Sequence, residues 1–213
     1  AIYKGIITRV MDKNEDLGQY IGYNTNIINA KNNYVMPGFI ESHIHIESSL
    51  LNVIEFGKLE IKHGVTTVIA DPHEIGNVLG YEGVKLFVEE SNYAFPRIYF
   101  EAPSCVPATD ISKGLDSGGK VINSNDINKL MKMDKIIGLG EVMDFQSVLE
   151  GNENILEKLE ITKSANKVIE GHAPLLNKEK LDGYLISGIN SDHESSLLEE
   201  ALEKVRKGMY IFV

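Results

Sequence analysis

Residues 38–49, GFIESHIHIESS, place His43 and His45 two positions apart in a run of isoleucines and small polar residues. In an extended segment, side chains at i and i+2 share a face, so both imidazoles look one way while Ile44 and Ile46 look the other. Two imidazoles on one face of an apolar strand need partners, because burying a polar group without one costs roughly 2–7 kcal/mol. Hydrogen bonds within a core would satisfy them, and so would a metal ion bound by the neutral rings. The chain has 6 histidines, and His43, His45, His73, His172 and His193 all stand at or just past the end of a strand-like run. Only His63 falls within a helix-like stretch. Carboxylates gather at the same ends: Asp71 and Glu74 around His73, Glu141 closing IIGLGE, Asp192 and Glu194 around His193. This distribution favours a metal site over scattered structural histidines. Two metals close together need a ligand that reaches both, and a carboxylate has two oxygens to do so. Glu141 suits that role because the glycines before it leave room, although a solvated loop position would also explain it.

The elements that must position these residues alternate. Strand-like runs are FIESHIHIE, VTTVIAD, RIYFEAPS, KIIGLGEV, KVIEGHA, LISGINSDH and GMYIFV. Helical spacing of apolar residues appears between them, in 50–64, 78–91, 124–133, 154–166, 177–187 and 195–208. Ser124 and Ser195 or Ser196 are expected as N-caps, Gly64 and Gly208 as helix stops. Strands alternating with helices imply βα units and a parallel sheet, hence an α/β fold. The series predicts a (β/α)8 TIM-type barrel lacking its last unit, over residues 35–213, with strands one to seven; a doubly wound open sheet is the competing layout. Strand C-terminal ends are where such a barrel builds its site. The first βα turn has no GxGxxG, so nothing favours a dinucleotide. Residues 1–34 differ: β-formers in AIYKGIITRV and QYIGYNTNIINA, separated by DKNEDLG, read as a small N-terminal piece of β-sheet.

Composition narrows the function. At 213 residues, 43% hydrophobic and 24% charged, the chain has the make-up of a globular domain. A formal net charge of -10 argues against a nucleic-acid partner. The single cysteine, Cys105, allows neither an intrachain disulfide nor a cysteine zinc site, and reads as a small packing residue. No run has the length of a membrane span and no leader pattern opens the chain, so no membrane partner and a cytoplasmic location are expected.

Several features have plain structural readings. Asp71 can cap the helix-like stretch after DPHE, with Pro72 at its first position; the functional reading gives His73 and Glu74 a part in proton transfer or a secondary metal contact. The loop APSCVPATD is either a rigid connection or the wall of a ligand pocket, with Ser104 and Thr109 bonding the ligand. Ser48 and Ser49 are either hydrogen-bond partners that orient the imidazoles or caps for the next helix, the caps being favoured. The stretch 195–208, with Glu199/Glu203 and Glu200/Lys204 four apart, reads as a solvated helical face.

Together PGFIESHIHIESS, TTVIADPHEIGNVLG, PSCVPATD, GLGEVM, GHAPLL and GINSDHE resemble the adenine deaminase family, bacterial and archaeal members of the amidohydrolase superfamily of metal-dependent hydrolases. HxH is shared by many amidohydrolases; its combination with DPHEI and PSCVPAT is more specific. The resemblance covers most of the chain. It implies hydrolytic deamination of adenine to hypoxanthine and ammonia by a metal-bound hydroxide, in purine metabolism. It implies a binuclear divalent metal centre, manganese or iron rather than zinc: His43 and His45 on the more buried ion, Glu141 bridging where many relatives carry a carboxylated lysine, His172 and His193 on the second. The small N-terminal sheet would be part of a β-sandwich domain, the partner would be the small molecule adenine, and the assembly a homo-oligomer. The family's aspartate at the end of strand eight has no counterpart in these residues, so the chain is expected to be a piece of a longer protein. A second amidohydrolase, acting on a cyclic amide, and a degenerate non-catalytic barrel are the competing readings; glutamate rather than lysine at 141 leans away from the first, and the intact histidine set away from the second. Zinc deaminases that use a histidine and two cysteines are excluded by the single cysteine.

Overall fold

A computed structural model describes residues 1–109 and 119–213. They form two units, Ala1–Pro37 and Gly38–Val213. In the first, β1 (Ile2–Tyr3) and β2 (Ile6–Ile7) pair antiparallel around a turn in which Lys4 and Gly5 both take positive φ, 50° and 79°, as a tight hairpin turn requires. The run expected to be extended over QYIGYNTNIINA is a 3-10 turn at Gly18–Tyr20 followed by irregular chain. Alternating residues become a strand only when a neighbouring edge takes their hydrogen bonds, and no described strand pairs with this segment.

The second unit is built of βα repeats. Strands β3 (Phe39–Ile44), β4 (Val65–Ala70), β5 (Arg97–Pro103), β6 (Ile136–Val142) and β7 (Val168–Gly171) form one curled parallel sheet in that order, a half-barrel within an α/β fold. β8 (Ser191–Asp192) and β9 (Tyr210–Ile211) make a separate parallel pair. Helices α1 (Val53–Lys62), α2 (His73–Leu79), α3 (Tyr81–Glu90), α4 (Ser124–Leu130), α5 (Phe145–Glu150), α6 (Glu153–Ser164), α7 (Lys178–Ile186) and α8 (Leu198–Arg206) connect them. The core gathers Val68, Ile98, Phe100 and Leu139 from the strands with Val53, Val84, Ile127 and Leu159 from the helices, all fully buried. Each such side chain contributes about 1.5–3 kcal/mol on leaving water. No described helix is long and apolar enough to cross a membrane.

The expected strands hold at β3 to β7, but LISGINSDH does not. Leu181 and Tyr184 are buried on one face of α7, which runs on through Ile186, and Gly188 at φ 93° ends it. Only Ser191–Asp192 remains extended. Gly64 and Gly208 do lie just past α1 and α8 with positive φ. The caps differ: Asn123, not Ser124, starts α4 in a capping box with Asp126, and α8 begins after Leu197 with no side-chain cap. Ser48 and Ser49 do not cap α1 either, since Asn52 accepts the Glu55 amide at 2.8 Å. α5, six residues long, is too short to show an apolar stripe, which is why periodicity passes over it.

Candidate metal centre

The ends of the parallel strands converge on Glu141. Its carboxylate is 3% exposed, and its two oxygens face different histidines. Oε1 lies 3.0 Å from His45 Nε2 and 3.5 Å from His43 Nε2; Oε2 lies 2.5 Å from His172 Nδ1 and 3.1 Å from His193 Nε2. β6 carries Glu141, β3 brings His43 and delivers His45 one residue later, His172 follows β7, and His193 follows β8. Thus the five residues expected as ligands from the sequence do meet, in two groups that share Glu141. His63 is exposed at the C-terminal end of α1, as expected.

Neighbouring groups hold this cluster. The Glu141 amide donates to Asp71 Oδ2 at 2.6 Å, and the Asp71 carbonyl lies 2.9 Å from His45 Nδ1. Asp71 therefore does not cap α2: it is fully buried and ties β4 to both His45 and Glu141. Pro72 stands just before α2 rather than at its first position. The His172 amide donates to Tyr184 Oη at 3.0 Å, and that hydroxyl donates to the Val142 carbonyl at 2.6 Å. Gly171 permits the approach, since a Cβ there would lie 2.3 Å from the Ser191 carbonyl.

The remaining sequence candidates divide. His73 joins the cluster, its Nδ1 3.4 Å from Asp71 Oδ2 and 3.7 Å from Glu141 Oε1. Glu74 lies apart from it and accepts from Ser48 Oγ at 2.6 Å. Ser104 is buried, its hydroxyl donating to the Glu141 carbonyl at 2.5 Å, so it supports β6 from behind. Thr109 is exposed, and Asp110 at the end of that loop lies outside the described residues. Cys105 is buried in the core, as its packing role requires, and burial raises its pKa. Asp192 is fully buried against Lys204, whereas Glu194 is exposed.

Sequence reasoning missed Glu170 and Glu101. Glu170, on β7, lies 3.1 Å from His43 Nδ1 and 3.7 Å from His193 Nδ1. Glu101, on β5, packs beneath it, and both line a cavity of about 230 Å³ inside the half-barrel. The glycines of GLGE make room for Glu101: a Cβ at Gly140 would fall 2.1 Å from Glu101 Oε2. The signal was an acid in the middle of an apolar strand, in VIEG and in YFEA, where an unpaired charge is rarely buried.

The charges are strongly coupled. Burial drives the His43 pKa down, yet the facing carboxylates of Glu141 and Glu170 outweigh it and raise it to about 10. His193 is raised to about 9 by the same two carboxylates against the same opposing burial. His45 is raised, burial being outweighed by Glu141 and the Asp71 carbonyl; for His73, Asp71 does the same. Glu141 is held far below the usual carboxylate range: burial opposes, but His172, His193, His43 and His45 prevail. Glu170 is lowered to about 2, with His193 and His43 overcoming burial. Glu101 is pushed well above the usual range, first by burial and then by Glu170.

This donor set fits divalent cations. Three of the four facing donor pairs lie 3.0–3.5 Å apart, the spacing of adjacent ligands around an ion with bonds of about 2.1 Å; the fourth, His172 Nδ1 to Glu141 Oε2, lies at 2.5 Å and would have to open to admit one. His43 Nε2 is buried with no hydrogen-bond partner, an orphan that a cation would satisfy.

A parallel half-barrel carrying histidines and a shared glutamate at its strand ends defines a class of protein. The chain belongs to the amidohydrolase family, whose pattern matches residues 34–211. Among its relatives, it is 52% identical over 201 residues to an adenine deaminase from Staphylothermus marinus, covering 94% of this chain and 33% of that protein. It is 43% identical over 197 residues to one from Clostridium acetobutylicum, covering 92% and 34% respectively. The chain thus spans about a third of the length of these curated relatives. Among solved structures, an alanine racemase from Clostridium difficile 630 aligns with a TM-score of 0.38 at 12% identity, over 81% of this chain and 41% of that one, too distant a likeness to carry an argument.

Proposed function

We propose that the protein is an adenine deaminase, releasing ammonia and hypoxanthine, with two divalent ions held at the strand ends. His43 and His45 would hold one, His172 and His193 the other, and Glu141 would join them. The observation that carries this reading is the division of the Glu141 oxygens between the two histidine pairs. The names of the relatives supply the substrate. When bound, such ions supply Lewis acidity that makes water a nucleophile at neutral pH. The cysteine-free donor set suits manganese or iron as well as zinc, and manganese or iron is our choice.

Replacing the amine at C6 of adenine requires protons on a ring nitrogen and on the departing amine, since ammonia leaves poorly otherwise. His73, partly exposed and hydrogen-bonded to Asp71, is placed to give or take one, with Glu74 on the next residue of α2 as its companion. Asp71 holds His45 and Glu141, and the His73 side chain beside it is partly exposed. Thr109, exposed at the loop after β5, is the proposed purine contact; Ser104 would act there only by reorienting its hydroxyl away from Glu141. β3 to β9 are read as the first seven strands of a (β/α)8 barrel over 35–213, and residues 1–34 as part of a small β-sandwich. A homo-oligomer in the cytoplasm belongs to the same proposal.

The test is ammonia release from adenine by the purified full-length protein supplied with manganese or iron, beside dihydroorotate and hydantoin. Turnover of adenine alone is expected. Turnover of a cyclic amide with adenine inert would overturn the substrate, and a well-folded protein holding only trace metal would overturn the centre.

A further inference from the structure

Both histidine groups at Glu141 share a second carboxylate behind them. His43 belongs to the Oε1 side and His193 to the Oε2 side, yet the Nδ1 atoms of both point at Glu170, at 3.1 and 3.7 Å. Their rings stack with centroids 4.0 Å apart and planes 20° apart, so one carboxylate spans the pair edge-on. His193 Nδ1 and Glu170 Oε1, 3.7 Å apart, have no hydrogen-bond partner among the described residues. A small ring movement would close that distance. Each ring turns its Nε2 toward Glu141.

A neutral imidazole has one N–H and one lone pair, and a partner at Nδ1 decides which nitrogen carries which. We propose that Glu170 is the positioning residue of the centre: it takes the Nδ1 hydrogens of His43 and His193 and thereby leaves both Nε2 lone pairs facing Glu141. His45 shows the same arrangement with the Asp71 carbonyl at its Nδ1. The inference rests on the reading of His43 and His193 as metal ligands. Glu170 could instead ligate an ion directly, since its oxygens and the two imidazoles also form a compact donor group. Its position argues otherwise. It meets the sides of the rings turned away from Glu141, and it is 4% exposed and backed by Glu101, which Gly138 and Gly140 admit against β6.

The experiment uses the full-length protein with Glu170→Gln, Glu170→Asp and, as a control away from the site, His63→Ala. Manganese dissociation constants are measured by chelator competition on folded protein, together with the visible spectrum of the cobalt-substituted form. Gln can accept from one ring only and offers an N–H to the other. Glu170→Gln is therefore expected to weaken both ions by roughly 10–100-fold and to shift the cobalt bands, with the metal-to-ligand count unchanged by X-ray absorption. If Glu170→Gln does not fold, Glu170→Asp is decisive: its shorter reach should give a smaller loss at both ions. Wild-type affinities and an unshifted spectrum in whichever variant folds would overturn the proposal. So would loss of one first-sphere oxygen in the absorption data, which would make Glu170 a ligand. A wild-type protein that binds no metal would instead sink the underlying reading of the centre.

Discussion

Lys204 and Asp192 form an ion pair at 2.8 Å in which neither side chain reaches solvent. Lys204 also donates to the Ala173 carbonyl at 2.7 Å, to Glu200 at 2.6 Å and to Ser195 Oγ at 3.1 Å. Ala173 follows His172, and Asp192 precedes His193. One buried ammonium therefore fastens the two segments that carry the second histidine pair.

Removing it should leave Asp192 and Glu200 buried without a counter-charge. Lys204→Met is expected to cost about 3–5 kcal/mol, the usual consequence of breaking a buried pair from one side. Urea denaturation checks this; a cost below about 1 kcal/mol would mean that water or a rearrangement replaces the ammonium.

Glu141→Gln tests the shared ligand. An amide has one oxygen and one N–H₂ group, so it can serve one histidine pair but not both. Metal content should fall and turnover should vanish, while circular dichroism stays close to that of the parent. His63→Ala should change neither. A Gln variant with full metal content and near-normal rate would remove Glu141 from the bridging role.

Gly140→Ala should be destabilising through Glu101, because the new methyl would meet Glu101 Oε2 at 2.1 Å. Overpacking of this kind costs about 1–3 kcal/mol. Adding Glu101→Ser should recover part of the loss, so that the two changes are non-additive in a double-mutant cycle. Strict additivity would place the strain elsewhere.

Protons and cations compete for the same nitrogens. His43 and His193, raised to about 10 and 9, carry charge at neutral pH when only carboxylates face them, and a cation requires them neutral. Metal uptake should therefore release protons and weaken as pH falls from 9 to 6. Titration calorimetry in two buffers of different ionisation heat would reveal the release; equal heats would contradict it. The sign reverses for the stability of protein stripped of metal. Both folded pKa values lie above the unfolded value near 6.5, so their contribution is full below about pH 6.5 and is lost as pH rises through 9 to 10.

The site was legible where chemistry interrupts a pattern. His43, His45, Glu141, His172 and His193 could be picked out because each ends an apolar run at a strand terminus. Asp71 ends such a run too, but an aspartate before a proline and a helix also has the signature of a cap, and only the tertiary fold shows that it faces Glu141. Lys204 and Glu200 read as solvated in the sequence because their four-residue spacing is common to exposed helix faces; both are buried, and nothing local reveals that α8 turns them inward. Glu170 and Glu101 were visible as acids inside strands, yet their meeting depends on β5 and β7 flanking β6. The sixth strand-like run failed because its first residues, Leu185 and Ile186, complete the last turn of α7, whose buried face is set by Leu181 and Tyr184 upstream of the run.

The most direct test of the account is the number of divalent ions held per chain by the full-length protein, measured by mass spectrometry after manganese loading and exhaustive dialysis. Two are expected, falling to about one when His172 and His193 are both replaced by alanine while the fold persists. A folded parent protein that retains less than one ion per chain would contradict it.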